Sequence, residues 1–304
     1  MTRRLVIGTR RSRLAITQTR SVAEALRSAF PGLEIELREI VTAGDRAPEK
    51  PLSESGTVGF FTRDIEKRLL AGDIDLAVHS LKDLPVEQPE GLVIAATPRR
   101  GDPRDALLCR EASSLRDLPE GAIVGTSSPR RSAQLLAIRP DLVIRELRGN
   151  VDTRIEKLRR GDYDAIVAAK AALDRLGRAA AITEVLEPAD CLPAPGQGAL
   201  AVECREGDLD VMRLASALND AATCVTTSAE RALLSRLGGG CRLPLGALAV
   251  PVGGEEFVLR AALASSDGSR TIRAEARGRL DDSGRVVEEC YHSLIFQGGE
   301  ALVR

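Results

Sequence analysis

The stretch "RLVIGTRRSRLAI", Arg4 to Ile16, leads a short apolar run through a glycine into a helical pattern, and "AIVGTSSPRRSAQLLAI", Ala122 to Ile138, follows the same plan. In the first, Leu5 to Ile7 reads as a buried strand and Gly8-Thr9 as a turn. Ser12 is placed to cap a helix whose apolar stripe is Leu14, Ala15, Val22, Ala25, Leu26 and Ala29. In the second, Gly125-Thr126 follows the strand, Ser127 and Ser128 are capping residues, and Pro129 takes the first helical position, where its missing N–H is no loss. A second pair of segments agrees: "AGDIDLAVHSLKDL" (71–84) and "RGDYDAIVAAKAALDRLG" (160–177) share Gly-Asp-x-Asp, an apolar strand and a lysine, Lys82 or Lys170, at matching places. Two copies of one strand-to-helix junction predict two similar α/β units with parallel or mixed sheets. Ligands of such units sit beyond the strand ends at helix N-termini, in a cleft where the units lie side by side.

The 304 residues, 43% hydrophobic and 29% charged, suffice for a sizeable core and for two or three domains. The opening "MTRRLVIGTRRSRLAIT" offers a brief apolar run before more arginines, so neither a signal peptide nor a membrane span is expected and the protein reads as cytoplasmic. Six cysteines, at positions 109, 191, 204, 224, 241 and 290, form no Cys-x-x-Cys pair, and two histidines are few for a zinc site, so no metal is expected. The formal net charge of −1 argues against a general polyanion binder. Aromatic residues at 2%, with no tryptophan, leave few platforms for stacking bases, and no helix-turn-helix or finger pattern is present, so nucleic acid is not an expected partner.

Under this near-neutral total the charge is unevenly placed. From Ser127 to Arg160 the chain carries Arg130, Arg131, Arg139, Arg145, Arg148, Arg154, Lys157, Arg159 and Arg160 against Asp141, Glu146, Asp152 and Glu156. Solvated helix faces account for many such runs. Here, however, arginines stand at helix starts: Arg10, Arg11 and Arg13 at one, Arg130 and Arg131 at the next, and Arg154 after the Gly149-Asn150 turn that Arg148 precedes. A cation so early in a helix opposes the macrodipole, a local conflict better understood if the guanidinium grips a ligand carboxylate through two parallel hydrogen bonds. The expected ligand carries several carboxylates or phosphates. In "VHSLKDLPVE" (78–87), Ser80, Lys82 and Asp83 follow a buried strand and Pro85 ends the local structure. A carboxylate among cations stays ionised and suits stabilisation of a cationic intermediate or proton transfer, although ordinary turn charges fit the same pattern. His79, inside the strand, reads as a core histidine.

Further on, "CLPAPGQGALAVECR" (191–205) is a Pro/Gly segment leading into a strand, Ala199 to Glu203, that returns the chain to an earlier sheet. "TTSAERALLSRL" (226–237) reads as a capped helix with Ser228 near its start, stopped by the following glycines. "LGALAV" and "EFVLRAALAS" then alternate like antiparallel strands, which predicts a small α+β third domain. Between them, "RLGGGCRLPLG" sets Cys241 on a glycine-rich loop, either as a small buried residue or as a thiol able to hold something covalently. Periodicity does not decide between these.

Taken together and in this order, "VHSLKDLPVE", "GTSSPRR", "RGNVDTR", "LPAPGQGAL", "AER" and "GGGCRLPLG" closely resemble the porphobilinogen deaminase family, also called hydroxymethylbilane synthase, over nearly the whole chain. The resemblance implies a dipyrromethane cofactor attached by a thioether to Cys241, and a transferase reaction that joins four porphobilinogen molecules head to tail on it. Ammonia is lost each time and linear hydroxymethylbilane is released. By the same resemblance Asp83 is the catalytic aspartate. Cofactor contacts fall on Ser80, Lys82, Thr126, Ser128, Arg130, Arg131, Arg148 and Gly149, and substrate contacts on Arg10, Ser12, Ser127, Arg154, Arg175 and Gln197. The implied architecture is two periplasmic-binding-protein-like (type II) domains, 1–98 with 199–216 and 104–193, and a third at 221–304 that carries the cysteine. The implied state is a monomer without metal, membrane or nucleic-acid partners. One stretch departs from the family: "PLSESGTVGFF" (51–61) has Glu54 and Val58 where a glycine-rich lid often has lysines. A two-lobed solute-binding protein without enzymatic activity would share the cleft and the arginines. It would usually bring a signal peptide or a DNA-binding helix pair, and it would not need Cys241.

Overall fold

The structure is a computed structural model that describes residues 4–42, 62–238 and 243–303. The second aspartate of each Gly-Asp-x-Asp explains why that motif occurs twice. Asp75 Oδ2 accepts from the Val6 N–H at 2.8 Å, and the Asp75 N–H donates back to the Val6 carbonyl at 2.8 Å. Asp164 does the same with Ile123, at 2.8 and 2.9 Å. In both places a short polar side chain satisfies a strand N–H that the ladder would leave unpaired, and so fastens neighbouring strands in register.

The chain divides into two compact units, Met1–Gly101 with Ala199–Cys224, and Asp102–Gly198 with Val225–Arg304. The first holds β1 (Arg4–Arg10), β2 (Glu34–Ile40), β3 (Leu76–Ser80), β4 (Leu92–Ala96) and β10 (Leu200–Arg205) in the order β2-β1-β3-β10-β4. β1 runs parallel to β2 and β3, and β10 runs antiparallel to β3 and β4. Helices α1 (Arg13–Ala29), α2 (Arg63–Leu70) and α6 (Leu209–Ser216) belong to this unit. The second unit repeats the arrangement with β5 (Asp105–Cys109), β6 (Ile123–Gly125), β7 (Val143–Arg145), β8 (Ala165–Ala169) and β9 (Glu184–Leu186) in the order β7-β6-β8-β5-β9. β6 is parallel to β7 and β8, while β5 is antiparallel to β8 and β9. Its helices are α3 (Pro129–Ile138), α4 (Val151–Arg159) and α5 (Lys170–Arg175). In each sheet the antiparallel fourth strand follows a crossing of the chain from one unit to the other, β5 after Gly101 and β10 after Gly198.

A three-stranded antiparallel sheet follows, β11 (Leu245–Gly253), β12 (Glu256–Ala264) and β13 (Thr271–Arg279), with α7 (Ala221–Arg236) before it and α8 (Ser283–Phe296) after it. Leu233 of α7, Leu245, Phe257, Leu259 and Leu263 of the sheet, and Val286 and Leu294 of α8 share one core. The expected architecture, two α/β domains of one topology and a small α+β part, is therefore present.

Several local readings are corrected. Gly8-Thr9 is no turn: β1 pairs with β2 through Arg10, and the chain bends at Arg11-Ser12. Gly125 closes β6, and a side chain there would meet the Tyr163 ring at 2.8 Å and Ile166 at 3.1 Å, so close approach rather than turning selects the glycine. In α1, Ala25 and Ala29 are exposed while Gln18, Thr19 and Ala23 are buried. Gln18 is tolerated because its Nε2 donates to Ser80 Oγ at 3.0 Å. With Asp75 matched to Asp164, Lys170 falls opposite Leu81 rather than Lys82; it opens α5 and bonds Asp174 at 2.7 Å. Helix α7 starts at Ala221, where Asp220 Oδ1 accepts from Thr223 N–H at 2.8 Å, and Ser228 is interior.

Replacing Asp164 with Ala leaves the Ile123 N–H without its acceptor and is expected to cost about 1–2 kcal/mol, read as a lower urea midpoint at unchanged slope.

Candidate active site

In the first unit the expected residues gather where the parallel strands end. Arg10 is the last residue of β1. Ser12 caps α1, its Oγ accepting from the Ala15 N–H at 3.2 Å. Ser80 ends β3, and a 3₁₀ turn, Leu81–Asp83, carries Lys82 and Asp83. The turn forms because Leu81 and Leu84, three apart and therefore on one side, are both buried against Ala199 and Ala201. The Leu81 N–H also donates to the Ala199 carbonyl at 3.0 Å. That anchoring leaves Lys82 half-buried and Asp83 exposed. His79 points into the core, with Nε2 3.1 Å from Oε2 of the fully buried Glu203.

In the second unit the same sheet end collects the arginines. Thr126, Ser127 and Ser128 follow β6. Ser128 caps α3, with Pro129 at its first position as expected, and Thr126 Oγ1 accepts from the Ser128 N–H at 3.2 Å. Ser127 does not cap: its Oγ donates to the Leu147 carbonyl at 2.8 Å and accepts from the Leu147 N–H at 3.1 Å, tying the β6 loop to the segment just before Arg148. Gly149 has φ +107°, and a side chain there would meet Thr153 at 2.8 Å. This backbone lets Asn150 cap α4 by accepting from the Thr153 N–H at 2.9 Å, while Arg154 Nε donates to the Gly149 carbonyl at 2.8 Å.

Arg130 and Arg131, in the first turn of α3, are buried and converge on Asp105. Arg130 Nη1 donates to Asp105 Oδ2 at 2.7 Å; Arg131 donates to Oδ1 through Nη2 at 2.6 Å and Nε at 3.0 Å. Gln197 Nε2 adds a third donor to Oδ1 at 2.9 Å. Asp105 was not among the sequence-predicted residues. It opens β5, which is antiparallel, so its first residue lies opposite Ala169, the last of β8, and thus at the edge where β6 and β8 end. The one local signal is an acid standing directly before the apolar run Ala106-Leu107-Leu108. Arg175, largely desolvated and its pKa pushed down by that burial, donates through Nη2 to the Gly198 carbonyl at 2.6 Å.

Burial by itself would push the Asp105 carboxyl up, but the charges of Arg130 and Arg131 and their hydrogen bonds outweigh it and hold the group well below the usual carboxylate range. The adjacent Cys191 thiol, 3.6 Å from both Arg130 Nη1 and Asp105 Oδ2, is pushed up to about 12 by burial and is neutral. One carboxylate facing two guanidinium groups leaves an unbalanced positive charge in a desolvated place. Arg130 Nε and Arg148 Nη2 are also buried without a hydrogen-bond acceptor among the described residues, although Arg148 Nε reaches Glu146 at 2.6 Å. Unmet donors on cations fit carboxylate oxygens of a bound group. Among the described residues no cluster of His, Cys, Asp or Glu could hold a metal ion. Cys241 and the segment 51–61 lie outside the described residues.

Comparison with known proteins places these residues in a family. Residues 5–213 match the family model described as porphobilinogen deaminase, dipyromethane cofactor binding domain, and residues 222–295 match its C-terminal domain. The porphobilinogen deaminase of Roseiflexus sp. (strain RS-1) is 49% identical over 100% of this chain and 99% of its own length. Those of Bordetella parapertussis and Bacillus subtilis (strain 168) are 47% and 45% identical, covering 99% and 100% of this chain and 95% and 96% of theirs. Of solved structures, a methionine-binding protein gives a TM-score of 0.46 at 14% identity, over 75% of this chain and 93% of that one.

Asp105→Asn removes the counter-charge of two buried guanidinium groups and is expected to cost about 3–5 kcal/mol in urea unfolding near neutral pH. Because the folded-state pKa of Asp105 is depressed, its stabilisation is full above about pH 4 and is lost as pH falls toward the folded-state value. The gap between wild type and Asp105→Asn should therefore be constant at neutral pH and narrow in acid.

Proposed function

Since this chain belongs to the porphobilinogen deaminase family, we propose that it is the transferase that joins four porphobilinogen molecules head to tail, releasing ammonia at each addition and hydroxymethylbilane at the end. The observation that carries this reading is the pair of buried guanidinium groups sharing the single carboxylate of Asp105. Each porphobilinogen brings an acetate and a propionate, so a growing chain accumulates the negative charge that such a site lacks.

The dipyrromethane cofactor, held through a thioether to Cys241, supplies when bound the covalent starting point for elongation. Arg130, Arg131 and Arg148 are suited to its carboxylates, with Ser80, Lys82, Thr126, Ser128 and the Gly149 backbone around them. Arg10, Ser12, Ser127, Arg154, Arg175 and Gln197 are assigned to the substrate and the growing chain. Asp83, exposed on a turn whose two leucines are anchored, offers a carboxylate that substrate can reach from solvent. Its role is to steady positive charge on the pyrrole nitrogen after ammonia has left, and to help move the proton released when the new carbon–carbon bond is made. The same reading takes the domains as 1–98 with 199–216, 104–193 and 221–304, and the protein as a cytoplasmic monomer. No described helix is long and apolar enough to cross a membrane.

Weighing the purified protein and its Cys241 peptide tests the attachment: wild type should carry the mass of two linked pyrrole units, and Cys241→Ser should lose both that mass and activity. An unmodified Cys241 peptide after incubation with porphobilinogen would instead favour a plain binding protein. Asp83→Ala is expected to retain the bound pyrroles yet turn over porphobilinogen at least about a hundredfold more slowly, measured as hydroxymethylbilane formed per minute; normal turnover would remove Asp83 from the chemistry.

A further inference from the structure

We propose that Glu230 is a positioning residue for this reaction, acting through the turn that carries Gln197; the inference rests on the functional reading above. Glu230 lies in the middle of α7, is 0% exposed, and has both carboxylate oxygens engaged by backbone groups from distant parts of the sequence. Oε2 accepts from the Gly196 N–H at 2.7 Å, and Oε1 accepts from the Ala249 N–H of β11 at 2.8 Å. A glutamate buried in mid-helix is costly unless its oxygens are satisfied. Here the two bonds make it a bridge from the three-stranded sheet to a turn next to the arginines.

That turn is tethered at each of three consecutive residues. Gly196 is held by Glu230, Gln197 by Asp105 and the Pro103 carbonyl at 2.7 Å, and Gly198 by Arg175. Just upstream, the Leu192 carbonyl accepts from Arg130 Nη1 at 2.7 Å and Gln134 Nε2 at 3.0 Å, and the Pro193 carbonyl accepts from the Ala247 N–H of β11 at 2.9 Å. Residues 192–198 thus form a strap with one edge on the arginine site and the other on β11. Among its tethers, Glu230 fixes the residue next to Gln197 without itself touching Asp105 or the arginines in any of these bonds. Its carboxylate is acceptor-only, which suits two N–H donors. An amide of the same shape would turn one of its two bonds into a donor facing a donor.

The test is a double-mutant cycle with Glu230→Gln and Gln197→Ala, scored as kcat and KM for porphobilinogen per folded molecule, with folded fraction from circular dichroism and bound pyrrole mass measured in parallel. Each single variant is expected to lose about tenfold or more in kcat/KM, and the double variant no more than about twofold beyond the worse single, because both act through one turn. Multiplying losses, or a Gln197→Ala enzyme at wild-type rate, would overturn the proposal. Amide hydrogen exchange gives a second readout independent of activity: Glu230→Gln should speed exchange at Gly196 and Gln197 while leaving β12 unchanged, and unaltered exchange at Gly196 would also count against it. Should Glu230→Gln not fold, Glu230→Asp, which keeps the charge and shortens the reach, takes its place in both measurements. A wild-type protein that does not convert porphobilinogen strikes the functional reading instead, and leaves the exchange result to judge Glu230.

Discussion

One buried carboxylate between two guanidinium groups organises the second unit. Asp105 opens β5, Arg130 and Arg131 lie in the first turn of α3, and Gln197 comes from the strap at 192–198, so three separate parts of the chain meet at one carboxylate. The arrangement is poor by the rules of stability alone. Two cations sit at the positive end of a helix, desolvated, with one anion between them and a neutral thiol alongside. A hydrophobic cluster would hold the same elements together at lower cost. The excess charge suits an anionic ligand, in keeping with the function proposed above.

The two α/β units carry different residues on one scaffold. Both fasten their strands with an aspartate that takes a backbone N–H, and both present their working residues where the parallel strands end, as expected of open α/β sheets. In the first unit, two buried leucines pin a short turn and leave Asp83 exposed. In the second, the equivalent edge is filled by buried arginines and by serine and asparagine caps that leave the loop backbone with few free choices. The antiparallel strand that completes each sheet follows a chain crossing in both, and in the second unit its first residue is Asp105.

Much of this was legible in the amino-acid order. The repeated strand-glycine-helix junction and Gly-Asp-x-Asp foretold two like units, because periodicity and capping are local properties that a few residues express by themselves. Ser12 and Ser128 cap and Pro129 takes the first helical position as read, and the motifs around Asp83, Arg148 and Cys241 led to the family. Three of the slips trace to longer-range contacts. Gly8-Thr9 stays in β1 because β2, some thirty residues on, keeps pairing with it. Gln18 is buried because Ser80 receives its amide, and Ser127 turns from capping to Leu147 because β7 runs beside it.

The sequence by itself determined the two-unit plan, the positions of the caps, the concentration of arginines and the family to which the chain belongs, since each is written in residues near one another or in motifs taken whole. Only the tertiary structure decided that Arg130 and Arg131 face inward to Asp105, that Gln197 joins them, and that Glu230 links Gly196 to Ala249. Those partners are separated by 25 to 92 residues, except Glu230 and Ala249 at 19. No local pattern encodes which buried carboxylate a given cation or backbone amide will meet, because that depends on strand order and on where antiparallel strands begin within each sheet.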